Sequence, residues 1–257
     1  MSKPLILVAN DDGVFAKGIK SLVEAVLPLG DIVVVAPDSP QSAMGHAVTI
    51  HDPIRMREVN FPVDGVRAYS TSGTPVDCVK MAIHEVLDRK PDLLVSGINH
   101  GANHSINVIY SGTMSAAVEG AIEGIPSIGF SLLDFAQDAD FTAAAHFSRI
   151  IAKEAIAKGI AKHTCLNVNV PKVSLEDIKG IKICRQAEGN WSEAFAKRQD
   201  PSGHNYYWMQ GNFKNPDKAE DTDQWALDHG YVSIVPVQYD MTAYHTMADL
   251  NQWNLND

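Results

Sequence analysis

A doubly wound α/β fold is what this sequence predicts, and three observations predict it. Continuous apolar runs recur, as strands buried on both faces require. Stretches with apolar residues at helical spacing separate them. Short polar segments sit where a run ends or a helix begins, the places where an open parallel sheet collects its ligands. The first run is Leu5 to Ala9. Ile19, Leu22, Val23, Val26 and Leu27 follow at helical spacing, closed by Gly30. Ile32 to Ala36 forms a second run that stops at Pro37 before a polar loop, completing a βαβ unit. Gly73-Thr74-Pro75-Val76-Asp77 opens a helix with proline in its first turn, and Val79, Ile83, Val86 and Leu87 supply its buried stripe. Asp92 to Ser96 is the next strand; Met114, Ala117, Val118, Ala121 and Ile122 mark a helix ending at Gly124; Ile128-Gly129-Phe130 resumes the sheet. Right-handed crossovers join such units.

Beyond Leu133 the character changes. A helix over Phe141 to Gly159 leads into a strand at Cys165 to Pro171, and the remainder is richer in aromatic and polar residues: Tyr206-Tyr207-Trp208, Asn212 to Asp223, Trp225 and a strand at Tyr231 to Val235. No internal repeat or low-complexity linker divides the chain. Residues 1–257 therefore read as one domain, with 1–133 forming a core that carries the site and 134–257 completing it and ending in an extension. That extension fits either an arm or hairpin for subunit contacts or a peripheral layer of the same domain.

Composition excludes several classes. The 257 residues match one α/β domain. Lys plus Arg number 21 against 31 Asp plus Glu, a formal charge of −10, and no basic run offers a track for a phosphate backbone, so duplex nucleic acid is not expected as a partner. Cys78, Cys165 and Cys184 are odd in number, widely spaced and free of any C-x-x-C pattern, which argues for buried thiols in a reducing compartment over disulfides or zinc. The run before Asn10 falls short of the ~7 apolar residues of a signal-peptide core, and no stretch of about 18 apolar residues could span a bilayer. The expected location is cytoplasmic, with no membrane partner.

Four polar segments carry the chemistry: Asn10-Asp11-Asp12-Gly13, Gln41-Ser42, Ser96-Gly97-Ile98-Asn99 and Ser111-Gly112-Thr113. Adjacent carboxylates at Asp11 and Asp12 repel unless a cation lies between or beside them. Taken alone, Asp-Asp-Gly is an ordinary turn or helix cap. The hydroxyl of Ser42 and the amides of Asn99 and Asn103 add neutral oxygens, and oxygen-only ligands select Mg²⁺, Mn²⁺ or Ca²⁺ over softer metals. Ser111-Gly112-Thr113 precedes a helix, so its N–H groups and hydroxyls form a seat for an anion as well as a simple N-cap. Acid-ligated metal and helix-terminus amides together are what phosphoryl transfer requires.

These residues, in this order, resemble the survival protein E (SurE) family of metal-dependent nucleotidases. The likeness extends to Ala36-Pro37-Asp38, Gly73-Thr74-Pro75-Val76-Asp77-Cys78-Val79, Tyr110-Ser111-Gly112-Thr113, Asn167-Val168-Asn169-Val170-Pro171 and Gly230-Tyr231-Val232-Ser233, covering nearly the whole chain. The resemblance implies a Rossmann-like, three-layer αβα core with a mostly parallel sheet and a C-terminal extension exchanged between subunits, hence a homodimer or homotetramer. It implies hydrolysis of nucleoside 5′- and 3′-monophosphates, in some members also of short polyphosphate, with one divalent cation per subunit, Mg²⁺ or Mn²⁺. By motif position the metal ligands are Asp11, Asp12, Ser42 and Asn99, with Asp11 and Asp12 catalytic. Asn99, Asn103, Ser111, Gly112 and Thr113 would receive the substrate phosphate. Whether an aspartate or a water attacks is left open, as is the role of His46.

Two rival readings share the acidic pair. A signalling receiver domain needs a phospho-acceptor aspartate after its third strand and spans about 120 residues, half this length. A haloacid-dehalogenase-type phosphatase needs an acid two positions after its nucleophile, where Gly13 and Val14 stand. Among other candidates, His100, His104, His204 and His245 read as surface or hydrogen-bonded residues, Met44, Met81 and Met114 as packing, and Tyr206, Tyr207 and Trp208 as base-stacking or interface residues. Lys197 and Arg198 are candidates to attract phosphate across a subunit boundary.

Overall fold

In the computed structural model, which describes residues 3–255, β1 (Leu5–Ala9) lies in the interior of a nine-stranded sheet and α1 (Lys17–Val26) follows it. Next come β2 (Asp31–Pro37), β3 (Met56–Glu58), β4 (Arg67–Thr71) and α2 (Pro75–Met81), then β5 (Leu93–His100), α3 (Gly112–Ile122), β6 (Ser127–Leu132), α4 (Thr142–Lys158) and β7 (Thr164–Val170). β8 (Ile181–Ile183), β9 (Asn190–Gln199), β10 (Asn205–Lys214), α5 (Asp223–Asp228), β11 (Val232–Gln238) and α6 (Tyr244–Leu250) complete the chain. Strand order is β3-β4-β2-β1-β5-β6-β7-β11-β8, and β9 with β10 forms a separate two-stranded ribbon.

The order has a physical consequence for the site. Strands β4, β2, β1, β5, β6 and β7 are parallel, and the chain builds outward from β1 in one direction through β2 and β4, then returns to add β5, β6 and β7 on the other side. The order reverses between β1 and β5, whose register pairs Ala9 with Ser96. Such a switch point leaves a crevice beyond the carboxyl ends of the two strands, because the loops following them diverge to opposite faces. Two antiparallel pairings, β3 on β4 and β11 on β7, make the sheet mixed at its margins.

Strand alternation divides the core into layers. Ile6 and Val8 point to the side packed by Ile19, Leu22, Val23 and Val26 of α1 and by α4, whereas Leu7 and Ala9 point to the side packed by Cys78 and Val79 of α2 and by Ala116 of α3. The last four of the five β1 side chains, Ile6 to Ala9, are fully buried, which at about 25 cal/mol per Å² makes this strand a main contributor to stability. The helix opening at Pro75 is capped by a reciprocal pair, Asp77 N to Thr74 Oγ1 and Thr74 N to Asp77 Oδ2. Its regular part ends at Met81, short of the stripe expected to reach Leu87; one wider turn follows, closed by Leu87 N on Ala82 O at 3.0 Å.

The sequence reading omits β3, β4 and β8. Two are three-residue margin strands and β4 is a half-polar segment, so none presents an apolar run. Beyond residue 133 the chain divides: β7, β11 and β8 extend the main sheet, while β9 and β10 stand away from it, paired with each other over ten residues each. No helix among the described residues is long and apolar enough to cross a membrane.

Candidate active site

β1 ends in a turn that the next residues dictate. Asn10 Nδ2 donates to Gly13 O at 2.9 Å, and Gly13 takes φ +103°, a left-handed value that glycine adopts without strain. The turn sets Asp11 and Asp12 in a cavity of about 330 Å³, whose lining also includes Ser42, Asn99, Asn103 and Ser111. Thr113 Oγ1 donates to Asp11 Oδ1 at 2.5 Å, and a Cβ on Gly112 would lie 2.7 Å from the Asp11 Cβ. Only glycine lets the amino end of α3 come this close to the carboxylate. Ser111 caps α3 by accepting from Met114 N at 3.0 Å, so Gly112 and Thr113 keep first-turn N–H groups that no helical carbonyl can satisfy.

The asparagines play different parts. Asn99 donates its amide nitrogen to Gly101 O at 2.7 Å, which leaves the amide oxygen for a cation. Asn103 sits in a buried polar net: its backbone N–H donates to Asn169 Oδ1 at 2.7 Å, its Nδ2 to Ser131 Oγ at 2.9 Å, and its carbonyl accepts from Asn167 Nδ2 at 2.7 Å. One side-chain hydrogen on Asn103 remains for a ligand. Ser42 reaches the same cavity from the exposed loop after β2, tied by Gln41 N to Asp11 O at 2.8 Å.

The electrostatics of the acids are those of a pair lacking its counter-charge. Burial pushes Asp11 up to about 6 against the opposing hydrogen bond from Thr113, and the charge of Asp12 adds to the rise. Burial also raises Asp12, against the weak hydrogen bond from His100 N at 3.4 Å. Among the described residues that line the cavity there is neither Lys nor Arg. No group of three or more His, Cys, Asp and Glu side chains able to hold a metal occurs among the described residues, so a cation here would have two carboxylates and otherwise neutral oxygens. That donor set fits Mg²⁺ or Mn²⁺, which keep several waters, and does not fit zinc.

Several lining residues escape sequence reasoning. Tyr110, Asn107, Phe135 and Trp191 face the same cavity. Tyr110 had a local signal, an aromatic immediately before the anion seat. Trp191 had none, because it arrives from the root of the β9–β10 ribbon, where its Nε1 donates to Asn107 Oδ1 at 2.7 Å. The buried Asp223 carboxylate holds that root to the site loop, accepting from Ser105 N at 2.8 Å and Ala187 N at 3.0 Å. A second cavity of about 480 Å³ shares Tyr110, Asn107 and Trp191 with the first and extends to Met209 on β10.

Other sequence candidates fall elsewhere. Tyr206, Tyr207, Trp208, Lys197 and Arg198 lie along the ribbon outside the cavity lining, and His204 and His245 are exposed. His100 lines the cavity with its ring edge-on to Phe141 at 4.9 Å. His104 is buried with neither ring nitrogen partnered, and burial lowers its proton affinity.

A profile of the family described as survival protein SurE matches residues 6–193. The chain is 59% identical over 256 residues to the 5′-nucleotidase SurE of Flavobacterium psychrophilum, covering 100% of each chain. It is 50% identical to the 5′-nucleotidase SurE of Bacteroides fragilis over 98% of both chains. Among solved structures, the SurE protein of Aquifex aeolicus superposes with a TM-score of 0.84 at 40% identity, covering 96% of this chain and 98% of that one.

Proposed function

The chain belongs to the survival protein SurE family, and on that premise we propose that it is a divalent-metal-dependent phosphomonoesterase acting on nucleoside 5′-monophosphates, with 3′-monophosphates and short polyphosphate as further substrates. One observation carries the reading. A buried carboxylate, Asp11, and a half-buried one, Asp12, stand with neither Lys nor Arg beside them against the amino end of α3, in a single cavity at the switch point. A cation completes the acid pair and a phosphate the helix end.

Asp11, Asp12, Ser42 and Asn99 would hold one Mg²⁺ or Mn²⁺, which supplies charge neutralisation and polarisation at phosphorus. The chain's own residues do the remaining work. Thr113 fixes the Asp11 carboxylate through its hydroxyl, while the N–H groups of Gly112 and Thr113 and the Ser111 hydroxyl receive the non-bridging oxygens. Asn103 adds its remaining amide hydrogen at the far wall. Tyr110 and Trp191 line both this cavity and the second, less polar one, so a ligand with an anionic end and a flat apolar end fits across both. A nucleoside monophosphate has that form.

Two further parts of the reading concern the molecule as a whole. Phe195, Tyr207 and Met209 are exposed on one face of the ribbon and Trp208 on the other, and this apolar surface supports a homodimer or homotetramer with the ribbon as arm. The three cysteines are buried and unpaired, which supports a reducing, cytoplasmic setting.

Phosphate release tests the function. The chelator-stripped protein is supplied with a panel of nucleoside monophosphates and, separately, with Mg²⁺, Mn²⁺, Ca²⁺ or Zn²⁺. Phosphate should appear with Mg²⁺ or Mn²⁺ and not without metal. Metal-independent release, or none from any nucleotide, would overturn the proposal, and a stable aspartyl phosphate would point to a receiver.

A further inference from the structure

Of the four residues proposed to hold the cation, Asn99 lies in β5 and Asp11 and Asp12 stand in the tight turn that follows β1, whereas Ser42 is exposed on a longer loop without regular structure. Something must hold that loop in register with the acids. Beyond the two backbone ties Gln41 N to Asp11 O (2.8 Å) and Gly45 N to Tyr110 O (3.2 Å), the side chain nearest Ser42 that anchors the loop is His46. Its Nε2 lies 2.9 Å from Glu119 Oε2. Further along, Thr74 Oγ1 donates to Ala47 O at 2.7 Å and Thr49 Oγ1 to Asp77 Oδ2 at 2.6 Å.

Glu119 is the unusual partner. It sits two turns into α3, the helix whose amino end carries Ser111, Gly112 and Thr113, and its side chain is only 2% exposed. The other carboxylate oxygen takes Lys80 of α2. Burial alone would raise this carboxyl, yet the hydrogen bonds from His46 and Lys80 outweigh it and hold the group below its ordinary value. A buried carboxylate persists only where both oxygens are paired. Glu119 does not line the cavity of the acids, and the proposed chemistry makes no use of it.

We propose that the Glu119–His46 pair, braced by Lys80, is a strap that sets the Ser42 loop against α3, so that His46 and Glu119 are positioning residues for the Ser42 oxygen donor. One rigid helix then carries the anion seat at its first turn and the anchor of a cation ligand at its third. The inference rests on Ser42 being a cation ligand, and its test separates the two claims.

Mn²⁺ is titrated calorimetrically into the chelator-stripped full-length protein, without substrate. His46→Ala and Ser42→Ala should each weaken Mn²⁺ binding about tenfold, and the double variant should be no weaker than Ser42→Ala alone, because both changes remove one contact. His46→Gln, whose amide can still donate to Glu119, should recover most of the affinity. Glu119→Met, which removes both acceptor oxygens and is checked for an unchanged melting temperature, should behave like His46→Ala. Losses that multiply in the double variant, or His46→Ala binding as tightly as wild type while Ser42→Ala is weakened, would overturn the strap. Wild-type affinity in Ser42→Ala would instead remove the ligand assignment, and the strap with it.

Discussion

The switch point and the β9–β10 ribbon break the ordinary burial rule in opposite senses. Past the end of β1, Asp11 is buried and Asp12 half-buried where apolar residues would be expected; along the ribbon, Phe195, Tyr207, Trp208 and Met209 are exposed where polar residues would be expected. Each inversion costs free energy in the isolated chain, and on the proposed function each would be relieved by something added from outside. Unpaired buried charge calls for a cation, and exposed apolar residues call for another protein surface. The sign of the inversion thus tells which kind of partner is missing.

The largest test of this contrast is at Asp12. Replacing it with Asn should lower turnover by ~10³-fold even at saturating Mn²⁺, with the melting temperature retained; retained turnover would break the acid half of the comparison. Gly112→Ala comes next. Its Cβ would sit 2.7 Å from that of Asp11, so the acid must shift, and a displacement near 1 Å costs about 10²-fold in rate. A variant with wild-type kcat would show that α3 need not touch the acid.

Proton binding sharpens the same point in the metal-free protein. Asp11 keeps its proton up to about 6 when folded and to 3.8 in its ordinary state, so the folded chain binds more protons between those values. Its contribution to stability is therefore full at low pH and is lost as pH rises through about 6, by roughly 3 kcal/mol in all. Denaturant titrations of the chelator-treated protein from pH 4 to 7 should show this fall relative to Asp11→Asn. Parallel pH profiles for the two proteins would mean that the acid pair is not strained without its cation. The ribbon gives the smallest effect on chemistry. Trp208→Asp should weaken self-association by about 2 kcal/mol, read as lower mass by light scattering; an unchanged mass would sever the exposed tryptophan face of the ribbon from subunit contact.

Local signals account for what was legible. The runs Leu5 to Ala9 and Ile32 to Ala36 and the stripe Ile19, Leu22, Val23, Val26 are one-dimensional patterns, and all but the half-buried Leu5 are buried in the structure. Asp11, Asp12, Ser42, Asn99 and Ser111 were visible because the loops of a parallel sheet meet at one edge. β3 and β8 were not, since three-residue marginal strands take their pairing from neighbours rather than from their own apolarity. Trp191 and Glu119 were invisible for a related reason: an exposed tryptophan in a ribbon and a glutamate inside a helix look ordinary until the fold sets them beside Asn107 and His46.

By itself the chain's order of residues determined the layers, the parallel core and the polar segments at its strand ends, because periodicity and turn chemistry act over a few neighbouring positions. Tertiary structure decided which strands flank the crevice, how closely Gly112 approaches Asp11, and which side chains distant in the chain close the cavity. Those outcomes depend on contacts between distant segments, whose geometry exists only once the sheet is assembled.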